Sequence, residues 1–159
     1  MAVSKKLLSY LDHKKVGYKI LKHRTVYTAY DAAKTMRAKL DQIAKTLVVK
    51  ADKIYLLAVL PATRRLDLGK LKKITKAKKL EIAKENVMKK VFKTKPGAVV
   101  PFGGLYKVPV FIDKTLLKAK QIITGAGTHE DSMVMTGKNF LKAVGEATIA
   151  DFGSKGKKK

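Results

Sequence analysis

There is no cysteine in this chain of 159 residues and no tryptophan, and acidic residues number 12 against 36 lysines and arginines. Without cysteine there are no disulfides, no thiolate nucleophile and no cysteine-ligated zinc. His13, His23 and His129, the three histidines, fall into no H-E-x-x-H or paired-histidine spacing, so no metal is expected. Ser4, Ser9, Ser132 and Ser154 include none in a G-x-S-x-G elbow. A Walker loop is missing, and no strand–GxGxxG–helix unit supports a dinucleotide fold, so no cofactor is expected either. No apolar run approaches the roughly 20 residues that a membrane helix needs. The first six residues lead into an amphipathic stretch rather than an apolar signal core. A cytoplasmic location and no membrane partner are therefore expected.

What the chain does have is positive charge. The formal balance is +24 and the pI about 10.2, an excess that raises the self-repulsion of the compact state. An anionic partner explains it, nucleic acid first, because neutralising phosphates releases counterions. The bland alternative is the lysine-rich surface of a heat- or salt-adapted source. Hydrophobic residues at 46% fit a folded protein, and the length fits one domain with a sizeable core.

Periodicity places the elements. Ser4 as N-cap, Leu7, Leu8 and Leu11 at helical spacing and Gly17 beyond them predict a helix near 5–15. Residues 18–21 read as a short strand. Thr28 and Asp31 form a capping-box pattern for a helix over 29–37, and Asp41 starts a single turn. Residues 46–49 and 54–60 flank Ala51-Asp52-Lys53 as a hairpin whose second strand, ended by Pro61, is buried. Arg64, Arg65 and Asp67 lead into a helix with Leu68, Leu71 and Ile74 on one face. A second helical stretch near 84–92 carries Val87, Met88 and Val91 inward and Lys84, Lys89, Lys90 and Lys93 outward. Strands at 108–112, 122–123 and 133–135, a helix near 138–144 and a strand at 148–150 follow. Strands outnumber helices and pair locally, which predicts a mixed α/β (α+β) domain with a curved sheet.

Three segments could carry chemistry. In the first, Lys45 stands at the mouth of an apolar strand, sharing a face with Leu47 and Val49 while Thr46 and Val48 face the other way. Such a lysine either reaches solvent along its stem or meets an anion; the strand alone does not choose between these. In the second, Gly97-x-x-x-Pro101-Phe102-Gly103-Gly104, the glycines allow backbone to approach a ligand, or make a plain loop. In the third, Gly125-Ala126-Gly127-Thr128-His129, the histidine can bond a substrate, or merely Glu130 or Asp131.

Together with Leu57-Ala58-Val59-Leu60-Pro61-Ala62-x-Arg64-Arg65-Leu66-Asp67-Leu68 and Val108-Pro109-Val110-Phe111-Ile112-Asp113, these segments resemble the YbaK / prolyl-tRNA-synthetase-associated editing domain family of aminoacyl-tRNA deacylases. The resemblance runs from about residue 7 to 152. It implies a curved six-stranded mixed β-barrel-like sheet surrounded by helices, a single domain over residues 1–153 and a mobile basic tail over 154–159. The implied reaction is hydrolysis of the ester joining a wrong amino acid to the 3′-terminal adenosine of a tRNA, alanyl- and cysteinyl-tRNA(Pro) being the first candidates. Lys45, Gly97, Pro101 and His129 are implied as catalytic, and Thr46, Phe102, Gly103, Gly127 and Thr128 as substrate-binding. Some alanine-specific members carry asparagine where this chain has Thr46, so the amino acid removed is open. Lys72, Lys73, Lys89 and Lys90 are the expected tRNA contacts, and a synthetase is a further expected partner. The alternative is a non-catalytic tRNA- or RNA-binding protein on the same fold.

Overall fold

The structure is a computed structural model that describes residues 5–25, 34–36, 38–90, 92, 99–128 and 130–155. Its centre is the expected hairpin, β2 (Ala44–Ala51) and β3 (Ile54–Pro61), eight residues each and in register from Ala44↔Pro61 to Ala51↔Ile54. A five-stranded mixed sheet grows from it in the order β5-β2-β3-β6-β9. Here β5 (Leu80–Ile82) is antiparallel to β2, whereas β6 (Val110–Asp113) and β9 (Thr148–Ala150) run parallel to their neighbours. An antiparallel sheet, β1-β8-β7, combines β1 (Lys19–Lys22), β7 (Gln121–Gly125) and β8 (Asp131–Thr136). A parallel bridge between Ile43 and Ile123 joins the two sheets. The α+β class is as expected, with the strands arranged as an open pair of sheets rather than a closed barrel.

β3 is buried from Leu56 onward because both its faces are covered. Leu57 and Val59 face the larger core with Ala44, Val48, Val100, Phe102 and Phe140. Leu56, Ala58 and Leu60 face a second core with Val49, Ala51, Leu71 and Phe152. Helix α1 (Lys5–His13) buries Leu7 and Leu11, and α2 (Leu68–Thr75) buries Leu71 behind an Asp67 cap that accepts the Lys70 N–H at 3.1 Å. α3 (Glu85–Lys90) ends in Lys89 and Lys90; α4 (Gly137–Val144), capped by Thr136, buries Phe140, Ala143 and Val144. No described helix is long and apolar enough to cross a membrane.

Three strands went unforeseen, all of three residues: β5, β4 (Arg64–Leu66) and β10 (Gly153–Lys155), the last two paired antiparallel. Arg64 and Arg65 are thus strand residues rather than a run-up to the helix. β10 also takes in Ser154 and Lys155, the first two residues assigned to the tail, because Ser154 lies opposite Arg65. Of the helix expected over 29–37, residues 34–36 are helical. The Thr28–Asp31 pattern, Val91, Lys93 and residues 156–159 lie outside the described residues, as does the Met88 side chain.

Candidate active site

β2 is flanked by β3 along its whole length, but its other edge is shared. β5 pairs with Val49, Lys50 and Ala51, and Ala83 N–H donates to Val48 O at 2.9 Å. At the opposite end Ile43 bridges Ile123 of β7. Among the described residues Lys45, Thr46 and Leu47 therefore have a strand on one side only. Carrying the parallel register two residues on from the bridge brings Lys45 level with Gly125 and with the turn that follows it. Among the described residues no strand pairs with this edge of β2 between the ends of β5 and β7.

Alternation along β2 sets the two side chains apart. Thr46, between Ala44 and Val48, faces the larger core, where Val100, Phe102 and Ala126 also pack. Its Oγ1 is buried and has no hydrogen-bond partner among the described residues. A buried hydroxyl without a partner is costly, and a ligand at the open edge would relieve it. Lys45 is half-buried on the opposite face, on the side of Leu47 and Val49. Burial, and secondarily the Arg65 guanidinium, lowers its pKa below the ordinary lysine value.

Gly97 lies outside the described residues and Pro101 is buried. Phe102 is fully buried, its ring 6.0 Å from Tyr10, so its side chain packs in the larger core. Gly103 is small for packing: a Cβ there would clash with Val108 O and Val110 Cγ2. Next to it, Gly104 lies against the Tyr10 ring. At both glycines the space that a Cβ would need is taken by the protein's own backbone and side chains. Tyr106 anchors the loop; its hydroxyl accepts the Val100 N–H at 3.2 Å and its ring packs 5.0 Å from Phe92. Burial raises its pKa.

The 125–128 turn is the more open element. Gly127 has φ +91°, and among the described residues a Cβ there would meet nothing within 4 Å, as at Gly125. The turn is braced from behind. Thr128 Oγ1 donates to Asp131 Oδ2 at 2.7 Å and accepts the Glu130 N–H at 3.1 Å, while Ala126 N–H donates to Asp131 O. Thr128 is thus occupied by the turn itself, and His129 lies outside the described residues.

One residue here was weighed in the sequence only as a metal ligand, and rejected as one. His23 N–H donates to Glu130 O at 2.8 Å, tying β1 to the turn. Its Nδ1 lies 2.7 Å from Arg24 O, and its Nε2 lies 2.8 Å from Ser132 Oγ. A carbonyl only accepts, so Nδ1 carries the proton; in the neutral ring Nε2 then accepts from the serine hydroxyl. No local pattern marks it, because Ser132 is 109 residues away.

Lys72 and Lys73 on α2 and Lys89 and Lys90 on α3 are all exposed. Lys70 is committed internally, donating from Nζ to Gly153 O at 2.9 Å beside Asp151.

Among the described residues the α+β domain thus sets a strand edge without a partner level with a glycine turn, with a half-buried lysine on the same strand. The chain belongs to the aminoacyl-tRNA editing domain family, whose profile matches residues 23–143. It is by class an aminoacyl-tRNA deacylase, an enzyme acting on tRNA, as the sequence led one to expect. The chain is 27% identical over 150 residues to the prolyl-tRNA editing protein ProX of Acetoanaerobium sticklandii, covering 91% of this chain and 92% of that one. It is 23% identical over 127 residues to a proline–tRNA ligase of Macrococcus caseolyticus, covering 80% of this chain but 22% of the ligase. The solved structure of a proposed trans-editing enzyme for prolyl-tRNA synthetase superposes with a TM-score of 0.85 at 26% identity, covering 96% and 99% of the two chains. A hypothetical protein of known structure shares the fold at TM-score 0.85 and 20% identity, over 94% and 100%.

Proposed function

We propose that the protein edits in trans, removing a wrong amino acid from tRNA(Pro) in the cytoplasm, with alanine and cysteine as the first amino acids to test. The observation that carries this reading is that, among the described residues, β2 is one-sided at Lys45, Thr46 and Leu47 and the buried Thr46 hydroxyl beside this edge has no hydrogen-bond partner. The similarity to ProX and to the trans-editing structure supports the tRNA(Pro) assignment, and the ligase similarity supports a synthetase as partner.

The chemistry asks little of side chains. An aminoacyl ester is already labile, so modest acceleration suffices and no covalent intermediate is needed. Water attacks the ester carbonyl, and the tetrahedral oxyanion is met by backbone N–H groups of the glycine turns, Gly97 and Gly127 among them. The carbon–oxygen bond to the terminal ribose then breaks, the ribose oxygen takes a proton, and the amino acid leaves as its carboxylate. Lys45 orients the anionic 3′ end, Thr46 meets the aminoacyl group, Pro101 fixes the loop, and His129 is the proposed further contact from the turn.

Pocket size sets the amino acid. One methylene discriminates by only about 1–3 kcal/mol, so tRNA recognition must share the burden. The test is a deacylation panel of mischarged tRNAs including alanyl- and cysteinyl-tRNA(Pro). Ester loss from one of these above the spontaneous rate is expected. No loss from any would leave a non-catalytic tRNA-binding protein.

A further inference from the structure

The far end of the central hairpin holds a structure that the reaction does not use. Asp52 occupies the β2–β3 turn at φ +54°. Its Oδ1 accepts the backbone N–H of Lys78 at 3.1 Å and of Lys79 at 2.8 Å; Oδ2 accepts Lys78 N–H at 3.2 Å. In return Asp52 N–H donates to Lys79 O at 2.9 Å. The bonds from Lys79 and Lys78 hold its carboxyl below the usual carboxylate range.

Four bonds thus clip the connection between α2 and β5 onto the hairpin. Lys53, Lys72, Lys76, Lys78 and Lys79 gather exposed around this single carboxylate. Lys76 is the C-cap of α2 at φ +60°, where glycine is the unstrained choice. Glu81, the first acid after this lysine run, stands opposite Lys50 in the β5–β2 register.

We propose that this Asp52-clipped lysine loop binds the sugar–phosphate backbone of double-stranded RNA, the stem of the tRNA substrate, with Asp52 as a positioning residue. Two features choose the duplex. Asp52 lies seven residue steps along the chain from Lys45, about 23 Å at strand rise, so an RNA whose 3′ end reaches Lys45 presents a more distant part to the loop. Among the described residues, the exposed side chains of the patch are lysines and Ile54, with none of the exposed aromatics on which single-stranded bases stack. Holding the lysine backbone in place lowers the ordering cost of each phosphate contact. The inference rests on the tRNA reading above, but its test does not need the reaction.

The probe is uncharged tRNA, which carries no ester, titrated by fluorescence anisotropy across a salt series. Replacing Lys72, Lys76, Lys78 and Lys79 together by glutamine is expected to weaken binding about tenfold or more. The same change should flatten the salt slope, by about 0.7–0.9 for each phosphate that is no longer neutralised. The charge-matched control replaces exposed Lys5, Lys6, Lys114 and Lys118 and should keep the slope. Asp52→Ala removes a negative charge from a basic surface, which by charge alone strengthens RNA binding; the clip predicts weaker binding instead. Asp52→Asn keeps an oxygen for both N–H groups and should bind at least as tightly as the parent. Equal weakening in the two quadruple variants, or tighter binding by Asp52→Ala, overturns the proposal. In that event the loop serves an acidic protein or only the surface. Inactivity toward every charged tRNA, with these binding differences intact, would instead overturn the deacylase reading alone.

Discussion

Lys45 carries its charge in a place that resists it. Burial and Arg65 both lower its pKa, so the folded chain binds fewer protons than the unfolded one between the lowered value and the ordinary 10.5. The penalty is complete below the folded pKa and vanishes as pH rises past 10.5. Lys45→Met is therefore expected to raise the melting temperature at neutral pH, with the gain fading in alkaline buffer, while deacylation falls about 100-fold or more. Thermal unfolding and single-turnover assays check both halves. A variant that melts lower at neutral pH would mean that the amine is stabilised, not strained. Arg65→Gln removes the lesser cause of the shift. It should move the alkaline limb of the rate profile to higher pH, since a Lys45 relieved of Arg65 stays protonated longer.

At the scale of elements, one buried carboxylate decides where the chain ends its sheet. Asp113, fully buried at the end of β6, accepts the Gly153 N–H at 2.7 Å, the Thr115 N–H at 2.9 Å and the Thr115 hydroxyl at 2.6 Å. Arg64 Nε stands 3.8 Å away, and its Nη2 bonds Gly153 O and Asp151. β6, β4 and β10 meet at this point. Asp113→Ala leaves several buried donors unmet and should destabilise by about 2–4 kcal/mol, read from urea unfolding. Gly153→Ala should also destabilise, because its Cβ would stand 2.7 Å from both Arg64 Nε and Asp113 Oδ2. Neither change touches β2, so residual folded protein should keep its deacylation rate. The elements legible in the sequence are those with their own period: α1 on Leu7 and Leu11, the β2–β3 hairpin, α2 on Leu71, α4 on Phe140 and Val144. β4, β5 and β10 have three residues each and no period to read. They exist because a distant partner arrives, Ser154 opposite Arg65 and Lys50 opposite Glu81.

For the whole molecule the governing quantity is +24 of formal charge. A protein that neutralises about six to ten phosphates weakens in affinity by about 10³–10⁵ between 50 and 200 mM salt. Binding of tRNA is expected to fall within or below that range, in proportion to the lysines engaged, and a flat salt response would remove tRNA as the reason for the charge. Fold class and family follow from segments spread along the chain, which is why they were legible before any contact was known. The site was legible only in part. Its strand could be placed from Lys45-Thr46-Leu47, but its supports could not: Ile43 bridging Ile123, His23 against Ser132, Tyr106 holding Val100.

The amino-acid order alone determined the local elements, the alternation that sends Lys45 and Thr46 to opposite faces, and the anionic character of the partner. These depend on neighbours in sequence and on summed charge. Only the tertiary structure decided what each face meets. Gly103 packs closely against Val108 and Val110, Phe102 lies in the core, and Lys70 donates to Gly153 O. The reason is that a side chain's neighbours in space come from segments up to 133 residues apart, as Tyr10 and Ala143 do, and no local period carries that distance.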